Sequence, residues 1–189
     1  MNTTAVPGLY IQRGVIAPEL ETSILAWLDQ QPWSTVLPRR TQHYGFEYGY
    51  KSLKLKPGPP FDGWIKTLGD YLDTNKLLKG ADQCIVNEYV SNQGIGKHID
   101  RPQIFSDRIV SFSIGGDCNF IFRNTLNRDE KAELYIPHGS LMIMTGDSRY
   151  KWTHEIPKRL SVKNDQGRNV KKPPDFRRVS ITYRKSINQ

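Results

Sequence analysis

The sequence contains little cysteine and no long apolar run. Cys84 and Cys118 are the only two cysteines among 189 residues and form no Cys-x-x-Cys pair, which predicts reduced thiols and no disulfide framework. No stretch approaches the ~20 apolar residues needed to cross a bilayer. Residues 1–4 lack the basic and apolar parts of a signal peptide. We therefore expect an intracellular protein, cytoplasmic or nuclear, with no membrane partner and one domain over residues 1–189.

Acidic residues are in the minority. The chain has 27 lysines and arginines against 19 aspartates and glutamates, a net charge of +8. Such an excess attracts polyanions through Coulomb steering and counterion release. The same charge also fits a solvated surface that keeps a protein in solution, so charge alone leaves nucleic acid as one of two interpretations.

Two helices are predicted in the first 75 residues. The first begins at Pro18, which suits a first helical turn, and ends before Pro32. The second runs from Phe61 to Asp73, after the break at residues 57–60. Apolar side chains recur at helical spacing on one face of each. These inward residues are Leu20, Ile24, Trp27 and Leu28, then Phe61, Trp64, Ile65 and Leu68.

From residue 83 the pattern becomes one of short strands, rich in β-branched and aromatic residues and separated by turn residues. The predicted strands are Cys84 to Val90, Arg108 to Ile114, Asn119 to Arg123, Glu133 to Ile136, Ser140 to Met144 and Arg178 to Arg184. This order predicts an α+β fold, with N-terminal helices packed on the sheet of a jelly roll. The polar segment 158–174 is predicted to be a flexible surface loop.

The chemistry begins at His98-Ile99-Asp100. Side chains two apart on an extended segment point to the same face, so His98 and Asp100 converge. A third ligand from a distant strand would complete a site of two histidines and one carboxylate, which suits iron(II) and leaves three adjacent positions open. His154 is the best third ligand, and His43 and His138 are the alternatives.

A third element is the strand from Arg178 to Arg184. Alternation places Arg178, Ser180, Thr182 and Arg184 on one face. Arginines that face a core need anionic partners, which a dicarboxylate and a metal-bound aspartate would supply. The alternative is an edge strand whose arginines lie in solvent.

Taken together, these residues resemble a known family, the AlkB-like Fe(II)/2-oxoglutarate dioxygenases. The resemblance covers residues 35 to 185. The matching residues are Asn87-Glu88-Tyr89, His98-x-Asp100, the segment Ser148-Arg149-Tyr150-Lys151-Trp152-Thr153-His154, and Arg178-x5-Arg184.

The resemblance implies a double-stranded β-helix, another name for the jelly roll, and assigns roles to the matching residues. His98, Asp100 and His154 would bind Fe(II), and Arg184 would lie behind Asp100. The residues that would hold 2-oxoglutarate are Asn87, Tyr89 and Arg178, with Arg178 on the distal carboxylate. O2 is the co-reactant, and ascorbate serves as the reductant in vitro. The family hydroxylates alkyl groups of nucleobases, and a hydroxylated N-methyl group leaves as formaldehyde.

The segment from Arg39 to Tyr50 combines basic and aromatic residues. Its alternating aromatic residues fit either a half-buried strand or a lid that stacks on a flipped or single-stranded base. On the second interpretation residues 35–60 are the lid. The side chains expected to contact substrate are then Arg40, His43, Tyr44 and Tyr48, with Tyr50 as a further stacking candidate.

One departure bears on the substrate. Members that repair alkylated DNA carry an acidic residue soon after the His-x-Asp pair, whereas here Arg101 and Pro102 follow and the first acid is Asp107. The Tyr-x-Trp-Thr-His form at His154 and the segment 42–45 are closer to the tRNA-modifying branch. We therefore expect a monomeric oxygenase acting on a nucleobase, with RNA preferred over DNA. The alternatives are a protein or small-molecule hydroxylase of the same superfamily and a non-catalytic jelly-roll module that binds RNA.

Overall fold

The protein was analysed as a computed structural model, which describes residues 2–49 and 55–187. Helix α1 spans Pro18–Asp29 and begins at the predicted proline. Helix α2 spans Gly63–Thr74, and the side chain of Asp62 caps it by accepting from the backbone N–H of Gly63 at 2.7 Å. This cap explains why α2 begins two residues after the predicted Phe61. A short helix, α3, covers Gly146–Tyr150.

The six strands predicted from the sequence are present, with bounds that differ by at most three residues at either end, and the described residues form further strands that were not predicted. In chain order they are β1 (Asn2–Thr3), β2 (Leu9–Gln12), β3 (Thr41–Tyr44), β4 (Phe46–Tyr48), β5 (Leu55–Pro57), β6 (Gln83–Val90), β7 (Ile95–His98), β8 (Phe105–Ile114), β9 (Cys118–Asn124), β10 (Lys131–Ile136), β11 (Ser140–Thr145), β12 (Trp152–Ile156), β13 (Ser161–Lys163), β14 (Asn169–Lys171) and β15 (Arg177–Ser186).

Two sheets form the core. The larger sheet has seven strands in the order β1-β2-β11-β8-β15-β6-β3, and the smaller has four in the order β10-β9-β12-β7. Side chains from the larger sheet, such as Ile109 and Met142, form one apolar cluster with Phe122 and Trp152 of the smaller sheet. The two sheets therefore enclose a common interior, which is the predicted jelly roll.

The helices cover the other face of the larger sheet, as predicted. Ile24 of α1 and Ile65 of α2 are fully buried in a second cluster with Phe112 of β8 and Ile181 of β15. Burial of apolar surface between the helices and the sheet stabilises this arrangement by about 25 cal/mol per Å². The larger sheet thus has one face toward the helices and one toward the interior between the sheets.

Strand β15 confirms the predicted alternation. Val179, Ile181 and Tyr183 belong to the cluster under the helices. Ser180 and Thr182 point the other way, where the hydroxyl of Ser111 contacts both, at 2.9 and 3.0 Å. Since β15 pairs with β6 on one side and β8 on the other, the alternative of an edge strand is wrong.

The segment 158–174, predicted to be a flexible surface loop, contains the paired strands β13 and β14, and its flexibility stays a prediction. Asn164 forms its turn by accepting hydrogen bonds from the backbone of Gln166 and Arg168. Asn119 of β9 fixes the hairpin from outside through two hydrogen bonds of 2.8 Å to the backbone of Lys163. A polar composition therefore concealed a pair of strands.

In the part of the chain that the structure describes, no helix has both the length and the apolar character needed to cross a membrane.

Candidate metal and cosubstrate site

His98 and His154 lie side by side on two neighbouring strands. Strand β7 pairs with β12 so that these two residues are direct partners, and their ring centroids are 4.3 Å apart. A glycine allows this approach, since a Cβ at Gly94 would lie 2.2 Å from the carbonyl oxygen of Ile156. The smaller sheet thus brings together two predicted ligands that are 56 residues apart in the sequence.

Asp100 lies directly beyond β7 and is buried. The guanidinium of Arg184, on β15 of the opposite sheet, donates to its Oδ1 at 2.7 Å. Burial alone would raise the pKa of Asp100, but Arg184, His154 and His98 together lower it to about 2. The carboxylate is therefore ionised at neutral pH.

The donor set fits a metal ion. Burial, with a contribution from His98, lowers the pKa of His154 to about 3, so its imidazole is neutral at neutral pH. A neutral imidazole beside an ionised carboxylate is the combination that a divalent metal requires. The Nδ1 atom of His154 is buried and lacks a hydrogen-bond partner among the described residues, as expected of a group that meets a ligand or water.

The three side chains are not closed around one point. Within residues 2–49 and 55–187, no group of three His, Cys, Asp or Glu side chains is arranged to hold an ion. His98 is turned so that its Nδ1 lies 2.8 Å from the carbonyl oxygen of Gly96. Since His98 is only half-buried, its ring is the one of the three with room to turn.

The alternative third ligands lie elsewhere. His138 contacts Glu21 of helix α1 at 2.8 Å, on the side of the larger sheet that the helices cover. His43 lies on β3 opposite Ile85 of β6 and faces the interior, where burial lowers its pKa. Asp100 lines two cavities, and neither His43 nor His138 lines either of them. His154 is the histidine whose ring meets that of His98.

Arg178 lies fully buried on the same strand face as Arg184. Its Nε donates to Ser113 at 2.9 Å, and its guanidinium carbon lies 5.3 Å from the ring centroid of Tyr89 and 5.4 Å from that of Phe120. Its Nη1 is buried with no partner among the described residues. A buried guanidinium with an unsatisfied nitrogen is costly unless an anion accompanies it.

A narrow cavity of about 50 Å³ lies beside the predicted metal ligands and beside Tyr89. Its polar lining residues are Asn87, Tyr89, His98, Asp100, Ser111, His154, Ser180, Thr182 and Arg184, and its apolar ones are Ile95, Phe120, Met142, Met144 and Ile156. Tyr89 also packs beneath the guanidinium of Arg178. Arg178 does not itself line this cavity, but its guanidinium packs against Tyr89 and Phe120, which do.

A wider cavity of about 570 Å³ opens on the outer side of the same residues. His98, Asp100, Asn87 and Arg184 line both cavities. The remaining wall comes from the segments before β3, in β6 and β7, and after β7, namely Leu37, Arg39, Ile85, Ile95, Gly96, Ile99, Arg101, Pro102, Gln103 and Phe105. A molecule in the wide cavity would therefore lie next to the metal ligands.

The structure corrects the predicted lid in two places. Arg40 turns away from the cavity, donates twice to Glu88 and lies over the ring of Trp33. Tyr44 is buried under the helices, where its hydroxyl donates to Gln42 at 3.0 Å. Neither side chain lines the wide cavity. Pairing of β3 with β6 directs Tyr44 to the helix side.

Other parts of the predicted lid have different outcomes. His43 faces the interior without lining the cavity, so its contact with substrate stays a prediction. Phe46–Tyr48 and Leu55–Pro57 form the hairpin strands β4 and β5. Tyr50 and the side chain of Tyr48 lie outside the described residues.

Two arginines near the site carried no separate role in the sequence prediction. Arg39 lines the wide cavity, and its Nε donates to Oδ1 of Asn87 at 2.8 Å. Arg149 of α3 is fully buried and donates to the backbone carbonyls of Asp100 at 2.6 Å and Phe105 at 3.1 Å. Arg39 stands one residue before the predicted Arg40, and Arg149 lies inside the motif that resembles the AlkB-like family.

Comparison with known proteins agrees with this geometry. The model of the 2OG-Fe(II) oxygenase superfamily matches residues 19–184. The "Alkylated DNA repair protein ALKBH8 homolog" of Arabidopsis thaliana is 32% identical over 97% of the chain and 59% of its own length. The "tRNA (carboxymethyluridine(34)-5-O)-methyltransferase ALKBH8" of Macaca fascicularis is 32% identical over 79% of the chain and 24% of its own length. The chain thus spans only part of either relative.

Among solved structures, one titled "The structure of OsALKBH1" has a TM-score of 0.71 and 17% identity, and the match covers 97% of this chain and 100% of that one. At this identity the likeness concerns the fold alone, and it agrees with the jelly roll described above. The family match covers most of the sequence and includes every residue of the two cavities. The chain belongs to the 2OG-Fe(II) oxygenase superfamily of Fe(II)-, 2-oxoglutarate- and O2-dependent enzymes, and its relatives are AlkB-like.

Proposed function

We propose that this oxygenase hydroxylates or oxidatively demethylates a modified nucleobase, in RNA in preference to DNA. The observation that carries the proposal is the pair of adjoining cavities that share His98, Asp100 and Arg184. The narrow cavity is lined by Tyr89 and Phe120, whose rings pack against buried Arg178, and Nη1 of this arginine has no hydrogen-bond partner among the described residues. The wide cavity opens outward and has a volume suited to a base-sized group.

His98, Asp100 and His154 would hold Fe(II), and Asn87, Tyr89 and Arg178 would hold 2-oxoglutarate. With Fe(II) bound there, O2 would be the oxidant, giving one oxygen atom to the substrate carbon and the other to succinate as 2-oxoglutarate loses CO2. The task of the protein is to orient these partners and to exclude water. Arg184 keeps Asp100 ionised, and Arg178 provides a buried positive charge for a carboxylate.

Nucleic acid as the substrate rests on charge and on the relatives. The net charge is +8, and the wall of the wide cavity contains arginine nitrogens, such as Nε of Arg184, that have no hydrogen-bond partner among the described residues. The name of one relative refers to alkylated DNA repair and that of the other to tRNA. The preference for RNA follows the sequence departure after Asp100, where Arg101 and Pro102 replace the acidic residue of DNA-repair members. We further propose that the protein acts as a monomer.

Mass spectrometry of nucleosides tests the proposal directly. Bulk tRNA, methylated RNA and methylated DNA are incubated with the protein, Fe(II), ascorbate as reductant and 2-oxoglutarate, then digested. We expect a nucleoside that changes by one oxygen, or loses a methyl group, only when 2-oxoglutarate is present. A protein that converts 2-oxoglutarate to succinate yet alters no nucleoside in any of the three pools would contradict a nucleobase substrate.

Replacing Arg178 by methionine should raise the KM for 2-oxoglutarate by about 10–100-fold, since a charge-assisted hydrogen bond contributes about 1.5–3 kcal/mol. Methionine preserves much of the buried stem between Tyr89 and Phe120. The iron(II) requirement should stay within about twofold, because Arg178 does not contact the predicted metal ligands. Succinate formation measured against each component gives both values.

The matched control is Arg159→Met, which removes a half-buried arginine that pairs with Glu133 and does not line the narrow cavity. It should leave both requirements unchanged. If Arg178→Met raises the iron and 2-oxoglutarate requirements equally, Arg178 does not hold the cosubstrate.

Oligonucleotide affinity should fall steeply with salt. Each neutralised phosphate of a single strand contributes about −0.7 to the slope of log K against log salt, so three contacts predict a slope of about −2. Affinity should then fall by about 20-fold between 50 and 200 mM salt. Fluorescence anisotropy with a labelled RNA measures this slope, and no binding at any salt concentration would refute a nucleic-acid partner.

A further inference from the structure

The wall of the wide cavity contains more positively than negatively charged side chains. Arg39, Arg101 and Arg184 are basic, whereas Asp100 is the acidic residue among the cavity's lining side chains. Asp100 and Arg184 neutralise each other through their contact at 2.7 Å. Two positive charges, those of Arg39 and Arg101, are left without an acidic counterpart in this wall.

Both arginines have nitrogens without a hydrogen-bond partner among the described residues. The Nε of Arg39 donates to Asn87, and its two terminal nitrogens have no hydrogen-bond partner in the described parts of the chain. The side chain of Arg101 is exposed and likewise makes no hydrogen bond to residues 2–49 or 55–187. Its backbone is held instead, because the carbonyl accepts from Arg149 and from the backbone of Ile104 and Phe105.

The backbone of Arg101 is therefore anchored, while its side chain is exposed in the wall of the wide cavity. Arg39 stands in the same wall, fixed through Asn87, which also lines the narrow cavity. A guanidinium with free terminal nitrogens binds a carboxylate or phosphate through two parallel hydrogen bonds. A cation placed in the same cavity would instead meet like charges, which oppose binding.

We propose that Arg39 and Arg101 select the base by its charge, so that the cavity favours a base bearing a carboxylate and disfavours a cationic alkylated base. This inference rests on the proposed nucleobase function and narrows its substrate class. The anion that the arginines bind could belong to the base itself or to a phosphate of the nucleic-acid backbone. The experiment therefore has to distinguish these two sources.

Three oligoribonucleotides of one sequence provide the probes. They differ at a single position, which carries 5-carboxymethyluridine (an anion), its neutral amide 5-carbamoylmethyluridine, or 1-methyladenosine (a cation). Dissociation constants are measured with the full chain at constant salt. The wild-type protein should bind the anionic probe about tenfold more tightly than the amide, equivalent to about 1.4 kcal/mol, and the cationic probe most weakly.

Charge reversal identifies the residues responsible. Arg101→Glu should abolish or invert the preference for the anionic probe over the amide, and Arg39→Gln should reduce it while retaining a donor for Asn87. Arg168→Glu makes the same change of charge in the exposed turn between β13 and β14, outside the cavity wall, and should preserve the order of the three probes. Thermal unfolding confirms that each variant is folded.

The outcomes are distinct. If Arg101→Glu weakens all three probes equally, the arginine binds backbone phosphate and charge selection of the base is wrong. If the wild-type protein binds the three probes equally, the inference fails while the nucleobase function stands. If neither the three probes nor an unmodified RNA of the same sequence binds, the nucleic-acid function and the inference fail together.

Discussion

Replacement of Asp100 by alanine should abolish iron(II) binding and 2-oxoglutarate turnover. Asp100 is the acidic residue of both cavities, and its pKa of about 2 keeps it ionised wherever iron(II) is studied. Loss of an outer-shell partner alone costs 10–100-fold in metal affinity, so loss of a direct ligand should cost at least about 100-fold. Anaerobic titration with iron(II) and 2-oxoglutarate measures this through a weak visible charge-transfer band, which should be absent in the variant.

Two further variants make this result specific. Asp100→Asn keeps the shape and a polar contact for Arg184 but removes the charge, so it should retain the fold and lose the band. Asp107→Ala removes an exposed carboxylate at the start of β8 and should titrate like the wild type. A folded Asp100→Asn protein with wild-type iron affinity would show that the carboxylate is not a ligand.

Strand periodicity explains which parts of the site could be predicted from sequence. Alternation along Arg178–Arg184 depends only on the extended backbone, so both arginines share a face whatever the rest of the chain does. The pair His98 and Asp100 follows from the same rule. Their meeting with His154 does not, because it depends on the pairing of β7 with β12, which local sequence does not determine.

The errors in the segment 39–44 have the opposite cause. Here the sequence predicts that side chains alternate between the two faces of β3, but it does not predict which set faces the helices, since both faces carry residues that suit burial. The partner of Thr41 is Asn87, and this register turns Gln42 and Tyr44 toward the helices. With the phase unknown, Tyr44 was assigned to the wrong side, and the position before β3 that reaches the cavity is Arg39 instead of Arg40.

Arg149 is a further residue whose contacts could not be predicted from the sequence. It lies in a five-residue helix, too short for a periodic pattern, and its partners are backbone carbonyls. A carbonyl is present at every position, so the sequence contains no matching charge that would reveal the contact. Only the fold, which brings α3 beside the segment after β7, identifies what the arginine holds.

Replacement of Arg149 by methionine should therefore destabilise the fold and weaken the metal site together. Its guanidinium donates to the carbonyls of Asp100, Arg101, Phe105 and Ser106. A buried acceptor left unpaired costs about 1–3 kcal/mol. Allowing for partial replacement by water, we expect a loss of about 3 kcal/mol in unfolding free energy. For a chain of this size that lowers Tm by about 6–12 °C.

The same change should lower iron(II) affinity by about 10–100-fold, the range for an outer-shell partner, because the backbone of Asp100 is no longer fixed. The titration is made well below the lowered Tm, where the variant is fully folded, so that unfolding does not account for the loss. Arg149→Lys retains the charge without the planar fork and should be intermediate in both properties. Lys151→Met, which removes an exposed side chain paired with Asp147 at the end of the same helix, should change neither by more than about 0.5 kcal/mol. A folded Arg149→Met protein with wild-type iron affinity would mean that the arginine supports the fold without positioning Asp100.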